Sequence, residues 1–118
     1  MVQERMLTRV AETVEPVLVV EVLRDGSAAT VRIEGEVEFA TAPRLRSTLL
    51  ELAQHGASPV IVDLAGVSFL DSAGISLLVQ AKKRFSAAGS DLVLRAPTAS
   101  VSRVLEISGV TGLFRIEG

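Results

Sequence analysis

Two hydrophobic spacings alternate along this chain, and their order leaves few folds open. In residues 28–34, Ala29, Val31 and Ile33 alternate with Thr30, Arg32 and Glu34, the two-residue period of a strand with one buried face. In residues 41–56, Leu45, Leu49, Leu52 and Ala53 fall at i, i+4, i+7 and i+8, the stripe of a helix packed on one side. Thr41 followed by Pro43 marks that helix's start, and Gly56 suits its end. Residues 17–23 read as a strand that Asp25-Gly26 turns back, as a hairpin, into 28–34. The β-branched run 59–64 and residues 91–95 and 113–116 are further strands. Residues 73–89, with Leu78, Ala81 and Phe85 on one face, and 98–109, with Val101, Val104 and Leu105, are further helices.

The order strand, strand, helix, strand, helix, strand, helix, strand predicts an α/β domain. Its sheet is mixed and four- to five-stranded, with an antiparallel pair at one side and helices mainly on one face. Residues 1–16 end at Pro16 and read as a loose arm, leaving 17–118 as the domain. The first strand is almost wholly apolar, so its second face calls for cover from the arm or a partner.

Composition narrows the function. At 118 residues the chain is one domain, with a core of Val, Leu, Ile and Ala, because it holds four Phe and neither Trp nor Tyr. No cysteine is present, which fits a cytoplasmic protein without disulfides or thiolate metal sites. The N-terminus lacks an apolar signal region and no 18 consecutive residues are apolar, so no direct membrane insertion is expected. A net charge of −2, with few aromatic platforms, offers nucleic acid no general attraction. A protein or a small molecule is the expected partner.

Catalytic material is scarce. The single histidine, His55, sits beside Gly56 at a helix end and reads as a surface cap. Glu34, Glu36 and Glu38 are spaced by two and could hold a hard cation, but a charged strand edge is the stronger reading. Lys82, Lys83 and Arg84 suit the C-terminal half of a helix. No phosphate-binding glycine pattern occurs. We therefore expect no enzyme, no metal and no cofactor.

One stretch stands out. Residues 67–76, Val-Ser-Phe-Leu-Asp-Ser-Ala-Gly-Ile-Ser, turn from a strand into a helix at the carboxyl edge of the sheet, where α/β folds commonly place sites. Asp71 or Ser72 makes a good N-cap, and Gly74 lets another surface come close. Ser72 at the helix start would tolerate a phosphate, which the helix dipole stabilises by ~0.3–1 kcal/mol. Locally, a plain cap is the simpler reading.

Residues 31–49, 59–84 and 101–116 together change that balance, because they resemble the STAS-domain anti-sigma factor antagonists. The likeness covers about residues 17–116 and is most specific in Asp63-Leu64, a short turn, and Asp71-Ser72-Ala73-Gly74. It implies a partner switch: the unmodified protein binds an anti-sigma factor that is also a serine kinase, freeing a sigma factor. Phosphorylation of Ser72 ends the complex, and a metal-dependent serine phosphatase resets it. The implied partner surface comprises Glu38, Phe39, Ala40, Thr41, Asp71, Ser72, Ala73 and Gly74, extended by Ser76 and Gln80. Glu38 stands where the family usually has Asp, and Ala73 where it has Ser or Thr. The chain ends at Gly118, short of a C-terminal helix that members often carry, so an exposed apolar strip there could invite weak self-association. The alternative within the same family is a non-switching adaptor subunit of a membrane lipid-transport ATPase complex, with Ser72 a mere cap.

Overall fold

The computed structural model describes the backbone of residues 5–10 and the whole of residues 18–118. Its strands are β1 (Arg5–Val10), β2 (Leu18–Asp25), β3 (Ala28–Val37), β4 (Val60–Leu70), β5 (Leu92–Arg95) and β6 (Arg115–Glu117). Its helices are α1 (Ala42–Gln54), α2 (Ser72–Ala87) and α3 (Ala99–Ile107), and a 3-10 turn, Thr111–Leu113, precedes β6. The six strands form one mixed sheet in simple sequence order. β1, β2 and β3 are antiparallel neighbours, whereas β3 through β6 run parallel, with a helix in each connection.

The α/β class and the order of elements agree with the sequence reading, but the sheet has six strands rather than four or five. The added one, β1, lies within the segment expected to be a loose arm; residues 1–4 and 11–16 of that arm, and Val17 after it, fall outside the described residues. β1 pairs along the edge of β2, from Arg5 opposite Asp25 to Val10 opposite Val20. It therefore extends the sheet instead of covering a face.

All three helices share one face. Register aligns Val20 with Ile33 and Val22 with Val31, then Val31 with Val62 and Val62 with Leu94. These buried residues form one cluster with Leu45, Leu49 and Leu52 of α1, Leu77, Leu78 and Phe85 of α2, and Val101 and Leu105 of α3. Period-2 strands meeting amphipathic helices produce this two-layer packing directly.

The opposite face carries a charge ladder. Register sets Glu21, Arg32, Asp63, Arg95 and Glu117 side by side across β2 to β6, alternating in sign at every step. Arg32 bonds Glu21 at 3.1 Å and lies 3.9 Å from Asp63, and Arg95 meets Glu117 at 3.0 Å. Cross-strand pairs of opposite charge stabilise a solvated sheet face modestly, and like charges there oppose it.

β4 runs longer than the six residues expected, because it continues through the segment read as a short turn. Against β3 it carries two register shifts, so its buried residues pass from alternate positions to Leu64, Val67 and Leu70, every third one. Each shift places an extra residue on β4. Gly66 fits the first, since a Cβ there would come within 2.8 Å of the Ile33 carbonyl oxygen.

Arg32→Glu places three carboxylates side by side in the ladder. We expect it to lower unfolding free energy in urea by about 1–2 kcal/mol, with Arg32→Ala below about 1 kcal/mol. Added salt should narrow the difference between the two.

Candidate functional site

The end of β4 and the start of α2 meet the loop between β3 and α1, and one carboxylate joins them. Asp71 has extended backbone (φ −100°, ψ −172°) and is the N-cap of α2, its Oδ1 accepting from the Gly74 N–H at 3.0 Å. Its Oδ2 accepts from the Phe39 N–H at 3.1 Å, and its own N–H donates to the Val37 carbonyl at 3.2 Å. Of the two candidate caps, Asp71 takes the role. Ser72 is thereby released: it is exposed on the first turn, and its hydroxyl has no partner among the described residues. The amides of Ser72 and Ala73, at the start of the helix, lack intrahelical acceptors and leave that end electropositive.

The β3–α1 loop is a tight turn built on Thr41. That threonine is fully buried; its Oγ1 accepts from the Glu38 N–H at 3.0 Å and donates to the Glu36 carbonyl at 2.7 Å. The Thr41 and Ala42 amides donate to the Glu38 carbonyl at 3.0 and 2.7 Å. Thr41 does stand at the N-cap of α1, as its sequence position suggested, but its hydroxyl turns back to the loop and makes no cap bond. Glu38 is half-buried and holds the Ala40 amide at 3.4 Å.

The implied partner residues therefore divide into two groups. Phe39, Ala40, Ser72, Ser76 and Gln80 are exposed, and Glu38, Asp71 and Ala73 are half-buried around them. Gln80 Nε2 donates to Ser76 Oγ at 3.4 Å, so the two continue Ser72's stripe along α2. Thr41 and Gly74, expected at a partner contact, are instead buried. A Cβ at Gly74 would overlap Leu70 Cδ1 and come within 2.9 Å of the Val37 carbonyl oxygen. The close approach that this glycine permits is that of the chain's own β3 and β4, not of another molecule.

One residue absent from the sequence-derived set belongs beside them. Phe69, opposite Glu36 in the sheet, is 49% exposed, and Phe39 is 82% exposed. Two of the chain's four phenylalanines thus stand in water next to Asp71, where aromatic anchors commonly seat a partner. Phe69 falls between the three-residue steps of Val67 and Leu70, the signal that sets it outside the core.

The other candidates have local roles. His55 is the exposed C-cap of α1, its Nδ1 2.8 Å from the Glu51 carbonyl, and Gly56 follows at φ +71°. Glu38 lies beyond the end of β3, so it does not complete one strand face with Glu34 and Glu36. Among the described residues no three His, Cys, Asp or Glu side chains group as metal ligands, and no helix is long and apolar enough to cross a membrane.

The chain that builds this strand-to-helix turn matches a known family. The STAS domain profile matches residues 19–118, and the chain belongs to that family. The anti-sigma-B factor antagonist of Staphylococcus epidermidis is 30% identical over 86 residues, 73% of this chain and 80% of the relative. Its Staphylococcus aureus namesake is 29% identical over the same shares. Among solved structures, an anti-sigma factor antagonist from Mycobacterium paratuberculosis has TM-score 0.79 at 19% identity, covering 90% of each chain. Unphosphorylated SpoIIAA has TM-score 0.72 at 20% identity, covering 83% of this chain and 87% of its own. At those identities the structural likeness bears on the fold.

Asp71→Ala should remove about 0.5–2 kcal/mol of stability with the cap. Hydrogen exchange should quicken at the Phe39 and Gly74 amides, while the Leu94 amide in β5 keeps its relative protection. Gly74→Ala should cost about 1–3 kcal/mol through overpacking, read as a lower urea midpoint.

Proposed function

We propose that this chain is an anti-sigma factor antagonist whose binding is switched by phosphorylation of Ser72. The unmodified form holds an anti-sigma factor with serine kinase activity, which leaves a sigma factor free to act in the cytoplasm. The kinase transfers the γ-phosphoryl group of ATP to Ser72 Oγ and ADP leaves; a serine phosphatase returns the hydroxyl. The chain is substrate and switch, with no catalysis of its own.

The observation that carries this reading is the division of work at the head of α2. Asp71 supplies the cap, so the neighbouring hydroxyl is free for chemistry without loosening the helix. A phosphoserine adds about −1.5 to −2 charge and three acceptor oxygens, which the free amides of the first turn tolerate. Against a docked partner the same group must lose its water. A penalty of a few kcal/mol is enough, since every ~1.4 kcal/mol is tenfold in affinity. The anti-sigma-B factor antagonist names of relatives 29–30% identical support the role.

The test uses the purified anti-sigma kinase from the chain's own genome. With ATP, the wild type should gain one phosphoryl mass and Ser72→Ala none. Wild type and Ser72→Ala should bind the kinase alike, and Ser72→Asp should lose at least about tenfold in affinity. Equal binding by all three would instead fit an adaptor in which Ser72 is only surface.

A further inference from the structure

Between α1 and α2 lies an open groove of about 430 Å³. The half-buried Leu50 opens onto it above a floor of the buried Leu49, Leu77 and Ala81, and Arg46, Lys83 and Arg84 stand on its walls. The three cations are exposed, and none has an ion-pair partner among the described residues. No carboxylate lines the groove, although acids outnumber Lys and Arg by 14 to 12 in the chain as a whole. A charge of one sign gathered over an apolar floor selects for charge-complementary, amphipathic occupants.

The groove is continuous with the switch surface. Ser72, Ser76, Gln80 and Arg84 recur every fourth residue along α2 and are all exposed, and Gln80 also lines the groove. From Ser72 to Arg84 the helix rises about 18 Å, at ~1.5 Å per residue. That is twice the Debye length of ~8 Å at physiological salt, so the phosphoserine charge is largely screened there.

We propose that the α1–α2 groove is a docking site for an acidic amphipathic helix of the anti-sigma kinase, separate from the phosphoacceptor. The inference rests on the partner-switching reading and adds a second contact to it. The helix sets apolar residues at i, i+3 or i+4 against Leu50 and the rim of the buried floor beside it, and carboxylates against Arg46, Lys83 and Arg84. Contact at the groove positions the kinase, and contact at Ser72 decides whether the complex persists.

The test compares two double variants with the same change of net charge, Arg46→Glu/Lys83→Glu in the groove and Arg103→Glu/Arg115→Glu on exposed positions of α3 and β6. Both are checked for wild-type circular dichroism and Tm, and Arg46→Gln/Lys83→Gln serves as a milder groove variant. With the purified kinase, the groove reversal should raise Kd and the KM for phosphorylation at least ~tenfold, leave kcat unchanged and flatten the salt dependence of association. The Gln variant should move in the same direction by less, and the α3/β6 variant should stay within about twofold of wild type. Equal losses in both reversals would reduce the effect to net charge and overturn the groove. Groove variants that bind like wild type, while Ser72→Asp still releases the kinase, would overturn the groove and leave the switch standing. Ser72→Asp bound as tightly as wild type would overturn the switch, with the groove judged on its own variants.

Discussion

The Asp71 carboxylate ties together two amides far apart in the chain, Gly74 in its own helix and Phe39, 32 residues earlier. Its backbone N–H adds a third tie, to Val37 at the end of β3. Without these bonds the first turn of α2 would lack a cap, and the β3–α1 loop would lose its only side-chain anchor on α2 among the described residues. The exposed surface around Ser72 is made from both pieces, so its shape depends on this one residue. Gly74 is the steric counterpart: only a residue without Cβ lets α2 begin so close to Val37 and Leu70.

This arrangement separates stability from signalling. The cap is supplied by Asp71, and the hydroxyl of Ser72, the proposed phosphoacceptor, holds nothing together. A charge placed on Ser72 therefore acts on whatever docks there, with little leverage on the fold. The buried network of Thr41 behind the loop has the same consequence, keeping Phe39 and Ala40 presented while the contacts that hold them stay inside. On the far side of the sheet, the charges of the ladder pair with one another across strands, while the exposed loop and helix-start residues gather at the strand ends.

Most of the fold was legible because it is periodic. Val31 and Ile33 at a two-residue spacing, and Leu45, Leu49 and Leu52 at helical spacing, each name a buried face without reference to neighbours. β4 was cut short because its register shifts turn that period into Leu64, Val67 and Leu70, which resembles neither template. β1 was missed because Arg5–Val10 mixes charge and apolar residues, and its pairing with β2 is a long-range fact. The charge ladder was invisible for the same reason: Glu21, Arg32, Asp63 and Arg95 are scattered in sequence and adjacent only in register.

The sequence by itself determined the class of fold, the helix start at residues 71–72 and, through its motif, the serine of interest, since propensity, capping and family likeness are all local or linear properties. Tertiary structure decided which residue caps, which of the motif's residues face water and what stands beside them. Thr41 and Gly74 turned inward, and Phe69 turned outward, because strand register and helix packing set the direction of a side chain. Those depend on residues tens of positions away, and no short stretch of the chain contains them.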